Sequence, residues 1–468
     1  MAVAHEPMNP NFHFQRKEPI LVKPSEPIPS QTLSLSTLDN EYFVENHTYT
    51  LYVYRPRTNP DHTLCSDPAS VIKQGLAKAL NFYYPLAGKI KRHPDRNLRI
   101  TFDAEDNGVP FVEASVDKDL ISVNYMDGVG SSVAKEFVLC EPINREEPYN
   151  PLRIQVTVFS CGGFVLGMSL SHSVCDGFGA AQLFKALVEL AGGKTEPSVI
   201  PVWERERLTV KILDADLEVD MTQPIPNVLD LGVSPHFPTL ELMNECVGIS
   251  GDGLKRLKMK IATEMGDEGS SLTTLEAITA YVWRSRFRAL ELSPDDKTMM
   301  FMTMGLRNLP EINLPKGYYG NAFIVTSPIV VLGRDLNEGP LSNIVKLIKE
   351  SKHISSQHEY IQRYLRITET NRLKNEMKIF ESMGGIFSLS DWRRLNLFEE
   401  EDFGWGGCSN VVPLPYNVVG HNDLSVFLPP YNLDHSMKDG LRIFIGLPKV
   451  SMKKFKQEIN VLHNPSYV

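Results

Sequence analysis

The run from Leu152 to Gly193 constrains this chain more than any other part of it. Two strand-like pieces, LRIQVTVFS (152–160) and GFVLGMSLS (163–171), lead directly into His172. A tight Gly177-Phe178-Gly179 and the apolar AAQLFKALVELAGG follow. A side chain at the end of an apolar strand, just before a glycine turn, is held rigidly while it faces a cleft. His172 has that position, and the alternation of strand-like and helical pieces predicts a mixed α/β class.

The rest of the chain repeats the theme. TYTLYVYRP (48–56) alternates as a half-buried strand would, and LRITFD (98–103) reads as another. The stretch DPASVIKQGLAKALNFYYPLAG reads as a helix with Asp67 or Ser70 as cap and Gly88 beyond its end. A second strong helix, SSLTTLEAITAYVWRSRFRAL, opens with a capping box of Thr273 and Glu276. NAFIVTSPIVVL, GLRIFIGLPKV and SMKKFKQEI suggest a second α/β half. Between the halves the chain loses periodicity and is punctuated by Pro and Gly. The expected division is a first lobe at 1–195, a crossover linker at 196–226 and a second lobe at 227–468, with a site between the lobes.

Length and charge narrow the class. At 468 residues the chain can bury two or three ordinary domains, and 42% apolar with 22% charged residues suits a soluble globular protein. A net charge of −9 argues against general nucleic-acid binding, which needs a clustered excess of Lys and Arg. The N-terminus lacks an apolar core of signal-peptide length, and no apolar run is long enough to span a bilayer. The six cysteines are scattered without a Cys-x-x-Cys pair, as expected of reduced thiols. The expectation is a cytoplasmic monomer with no metal.

The pattern His172-Ser173-Val174-Cys175-Asp176-Gly177 recurs as His435-Ser436-Met437-Lys438-Asp439-Gly440. Spacing alone therefore decides nothing, and context sorts the two. His435 lies in a polar, turn-rich loop with no apolar strand before it, and reads as a solvated loop histidine. An imidazole at the His172 position can take a proton from an alcohol or amine as it attacks an activated acyl group. The competing reading is a buried histidine paired with Asp176. The aspartate either fixes the ring or braces the turn.

Other motifs are weaker. GFGAAQ (177–182) follows a strand and opens a helix as a dinucleotide fingerprint would, but Gln182 stands at its third glycine position. HEYIQ (358–362) fails the zinc pattern at Gln362. Asp402-Phe403-Gly404-Trp405-Gly406 predicts a tight turn carrying one large anchored ring. Asp402 is either an acid or base, or a lock on that turn through a partner such as Arg307.

HSVCDG and DFGWG together resemble the BAHD family of plant acyl-CoA-dependent acyltransferases. Further matching segments are LSTLDN, YYPLAGKI, LPKGYYGNAF and LSDWRRLNLFEEEDFGWGG, so the resemblance spans the chain. It is nearest to the branch of taxane acyltransferases and alcohol benzoyl- or acetyltransferases. Ser171, where many members carry a second histidine, and Tyr319, where others carry Phe, depart from the commonest pattern.

The resemblance implies two similar mixed-sheet domains of the chloramphenicol-acetyltransferase type, with a channel between them. It implies acyl-CoA as co-substrate, no permanently bound cofactor, and a small-molecule alcohol or amine as acceptor. His172 would be the general base in direct transfer of an acetyl or aromatic acyl group. Asp176 would support local structure, Asp402 would pair with Arg307, and Ser390 would lie near the developing oxyanion. Gly177, Gly404, Trp405 and Gly406 would be structural. For the CoA phosphates, Lys255 and Lys258 of a basic run, with Ser270 and Ser271 at the next helix, are candidates, against an ordinary solvated charged face. A paralogue that binds acyl-CoA without turnover is the alternative.

Overall fold

A computed structural model describes residues 12–56, 67–103, 107–212, 231–238, 242–374, 383–398, 403–415, 417–419, 422–431 and 433–464. Two seven-stranded mixed sheets organise it. In the first, the strand order is Phe14–Arg16, Val109–Val116, Leu152–Phe159, Phe164–Ser171, His47–Tyr54 and Cys408–Pro413, with Ile20–Val22 beside Val109–Val116. Only Val109–Val116 and Leu152–Phe159 run parallel there. The second sheet runs Leu242–Ile249, Leu441–Pro448, Ser425–Leu428, Ile386–Asp391, Lys297–Gly305 and Phe323–Val325. The strand Ile329–Leu332 also pairs with Lys297–Gly305.

Local chemistry explains the elements. Leu152–Phe159 and Phe164–Ser171 form an antiparallel hairpin whose turn uses Gly162 at φ +82°. The helix Pro68–Phe82 has Pro at its first position and Asp67 as cap, accepting the Ser70 N–H at 3.1 Å. The helix Thr274–Ala289 opens on the expected capping box. Thr273 Oγ1 accepts the Glu276 N–H at 3.2 Å, and Glu276 accepts the Thr273 N–H at 2.9 Å. Pro328 interrupts NAFIVTSPIVVL, which forms two short strands rather than one.

The strand His47–Tyr54 differs from its half-buried expectation: residues 50–54 are buried throughout. The cause is a core on each face. Tyr52 and Tyr54 face helices Pro68–Phe82 and Gly177–Ala191, where Tyr52 stacks on Phe184 at 3.7 Å between centroids. Leu51 and Val53 join Phe137, Phe159 and Val165 on the other face. In the second sheet, helices Gly251–Met265, Thr274–Ala289, Leu341–Ser355 and Lys449–Asn460 supply the covering layer.

The sequence spans and the sheets interlock. Cys408–Pro413, from the 227–468 span, pairs antiparallel with His47–Tyr54 and closes the edge of the first sheet. Within 196–226, Arg205–Leu208 is a short 3-10 turn, and residues 213–226 lie outside the described residues. Among the described residues no helix is long and apolar enough to cross a membrane.

Candidate active site

His172 sits one residue past the strand Phe164–Ser171, and its N–H donates to Asn46 O at 2.8 Å. That bond continues the ladder to His47–Tyr54 and fixes the backbone from which the ring projects. Across the gap between the sheets, Asn321 meets it. The Asn321 Nδ2 group donates to His172 O at 2.7 Å and to Asp39 Oδ1 at 2.8 Å. Its Oδ1 therefore turns to His172 Nδ1, 3.1 Å away. An amide oxygen only accepts, so Nδ1 carries the proton and Nε2 is the basic nitrogen.

The support behind Asn321 is a buried hydrogen-bonded network. Asp39 is buried and accepts the Asn321 N–H at 2.9 Å, the Ser36 N–H at 2.9 Å and Arg205 Nη1 at 2.6 Å. Arg205 in turn donates Nη2 to Val174 O at 2.8 Å, tying the network to the turn after His172. Burial lowers the His172 pKa from its ordinary 6.5, and the nearby Asp176 and Asp39 charges offset only part of this. Phe323, 5.6 Å away between ring centroids, forms an apolar wall. The result is an imidazole that is neutral at pH 7 and correctly tautomerised to accept a proton.

Asp176 does not pair with His172 as the buried-histidine reading supposes. Its Oδ1 accepts the Gly179 N–H at 3.0 Å, capping the helix Gly177–Ala191. Its Oδ2 accepts the Ala322 N–H at 3.0 Å and Arg307 Nη1 at 2.6 Å. Burial alone pushes this carboxyl up. The charge and hydrogen bond of Arg307, with two backbone N–H groups, hold it below the usual carboxylate range. Arg307, whose Nη2 also donates to Gly320 O at 2.9 Å, thus clasps the two sheets together beside His172.

Arg307, the expected partner of Asp402, faces the Asp176 carboxylate. Asp402 lies outside the described residues. The carboxylate of Asp176 also occupies the helix N-terminus that a pyrophosphate would need in the dinucleotide reading.

The remaining candidates fall in three places. Gly177 starts the helix, where a Cβ would meet Leu395 Cδ1 at 3.0 Å. Gly404 and Gly406 adopt φ of +91° and +84°, a conformation that costs other residues about 1–2 kcal/mol. They let the buried Trp405 ring pack edge-on against Phe164 at 5.4 Å, immediately before the crossing strand Cys408–Pro413. Ser390, on Ile386–Asp391, accepts a hydrogen bond from Thr303 Oγ1 at 3.0 Å, which leaves its own hydroxyl proton as a donor.

Lys255 and Lys258 lie on the helix Gly251–Met265, and Ser270 and Ser271 in the exposed turn Gly266–Ser271. Lys255 is 3.7 Å from Asp252, and Ser271 accepts Lys349 Nζ at 2.7 Å. Charges of both signs cover this surface.

Asn321, Asp39 and Arg205 are the site residues that sequence reasoning missed. The first two lie inside GYYGNAF and LSTLDN, segments noted only as points of resemblance.

The Transferase family model matches residues 12–462. The chain belongs to the BAHD acyltransferase family. It is 37% identical to spermidine sinapoyl-CoA acyltransferase of Arabidopsis thaliana, over 94% of this chain and 96% of the relative. It is 32% identical to 3'-N-debenzoyl-2'-deoxytaxol N-benzoyltransferase of Taxus canadensis, over 95% of each. Among solved structures, vinorine synthase superposes with a TM-score of 0.72 at 19% identity, covering 96% of this chain and 98% of that one. Two mixed-sheet α/β domains are the shared BAHD fold, and the chain is an acyltransferase.

Proposed function

We propose that this BAHD enzyme transfers an aromatic acyl group from CoA to an amine nitrogen of a small plant-type metabolite, with His172 as general base. The observation that carries the base assignment is the Asn321 Oδ1 to His172 Nδ1 contact of 3.1 Å, which leaves Nε2 as the basic nitrogen. The nitrogen acceptor is supported by the relatives: one acts on spermidine and another is an N-benzoyltransferase. A hydroxyl acceptor would use the same chemistry.

In the proposed reaction the acceptor N–H proton passes to Nε2 as the nitrogen attacks the thioester carbonyl carbon. The C=O becomes a tetrahedral oxyanion, for which the Ser390 hydroxyl is the candidate donor. The C–S bond then breaks, the carbonyl re-forms, and the CoA thiolate takes the proton from the imidazolium. No acyl-enzyme and no redox partner are needed.

Acetyl-, benzoyl- and coumaroyl-CoA, each with amine and alcohol acceptors, followed by mass spectrometry and thiol release, test this reading. Amide products with one free CoA per acyl group are expected. Ester products alone would overturn the nitrogen assignment.

A further inference from the structure

The segment 36–46 forms one wall of the His172 surround. Asp39 holds Asn321, Val44 O accepts the Ser173 hydroxyl at 3.3 Å, and Asn46 O accepts the His172 N–H. Three carboxylates lie along it. Asp39 is met by Arg205 at 2.6 Å and Glu45 by Arg92 at 2.8 Å. Glu41, between them, is different. It is half-buried, its Oε1 accepts the Tyr364 hydroxyl at 3.0 Å, and among the described residues no cation is paired with it.

Tyr364 is itself fixed. It belongs to the helix His358–Lys374, whose Glu369 accepts the Thr37 hydroxyl at 3.0 Å and so docks the helix onto the same segment. Burial pushes the Glu41 carboxyl up to about 8, with the Tyr364 hydroxyl offsetting part of the rise. Without a cation the carboxyl is therefore largely protonated at pH 7. A cationic nitrogen brought in by the substrate, along the segment that holds the His172 backbone, would ionise it and pair with it.

We propose that Glu41, steadied by Tyr364, docks a protonated nitrogen of a polyamine acceptor while another nitrogen of the same molecule is presented to His172. This rests on the amine-acceptor reading and names its substrate class: a molecule with at least two nitrogens, one neutral and reacting, one charged and anchored. Glu41 is a specificity-determining residue and takes no part in bond making.

The test uses the full-length chain and spermidine as probe. In a His172→Ala background, where turnover is blocked, spermidine affinity is measured by calorimetry with Glu41 or with Glu41→Gln. The glutamine keeps an oxygen for Tyr364, and an unchanged melting temperature checks the fold. Tyr364→Phe serves as the second variant.

Glu41→Gln is expected to weaken spermidine binding by roughly tenfold or more. Tyr364→Phe should act in the same direction, and an uncharged diol of similar length should bind all variants equally weakly. Unchanged spermidine affinity in both variants, or no spermidine binding with Glu41 present, would overturn the proposal. Turnover is scored separately in the otherwise unaltered enzyme. Glu41-dependent binding without any acylated amine would sink the amine-transfer reading and leave the docking site standing.

Discussion

Asn321 Oδ1 lies 3.1 Å from His172 Nδ1, and the same side chain's Nδ2 bonds both His172 O and Asp39 Oδ1. One amide thereby sets the ring's tautomer and its orientation from both ends. Asn321→Leu removes all three bonds. It is expected to lower kcat by roughly 100-fold, with KM for acyl-CoA little changed, because the loss falls on proton transfer. Steady-state kinetics check this, and a change confined to melting temperature would reduce Asn321 to a structural role.

The pH profile follows from the His172 environment. A base whose pKa is lowered below 6.5 by burial is neutral at pH 7 and protonates only in acid. The rate kcat/KM for acyl-CoA should therefore be flat near neutrality and fall as pH drops, with the acid midpoint below 6.5. A midpoint above 6.5 would contradict a buried neutral imidazole.

Much of the scaffold was legible because its causes are local. The strand periodicity before His172, the Thr273–Glu276 box and the Asp67 cap each involve residues close in sequence. The failures are non-local. Asp176 and Arg307 stand 131 residues apart, and a charge pair across that separation leaves no trace in spacing. Asn321 and Asp39 meet through hydrogen bonds between residues 282 apart, which only the folded chain creates. The two-sided burial of His47–Tyr54 depends on a core packed on each face, built from residues distant in the chain such as Phe184 and Phe137.

The Asp176–Arg307 clasp should be a stability element. Arg307→Ala leaves a largely buried carboxylate uncompensated and is expected to cost about 3 kcal/mol at pH 7, read from denaturation curves. The sign with pH is fixed by the lowered Asp176 pKa. The stabilisation is complete above the unfolded value of about 3.9 and is lost as pH falls through the native one. Variant and unaltered enzyme should therefore converge in acid, and a gap that widens there would contradict the assignment.

Ser390→Ala tests the oxyanion donor. Its hydroxyl bonds only Thr303 among the described contacts, so stability should change by less than about 1 kcal/mol. If the hydroxyl meets the tetrahedral oxygen, kcat should fall by roughly 10- to 100-fold. An unchanged kcat would remove Ser390 from the chemistry.

The most direct measurement is acyl transfer by His172→Ala beside His435→Ala, with free CoA thiol and acylated product followed together. The expected result is loss of both signals by roughly 100-fold or more in His172→Ala, with acyl-CoA binding retained, and unaltered turnover in His435→Ala. Equal turnover in the two variants would contradict His172 as the base.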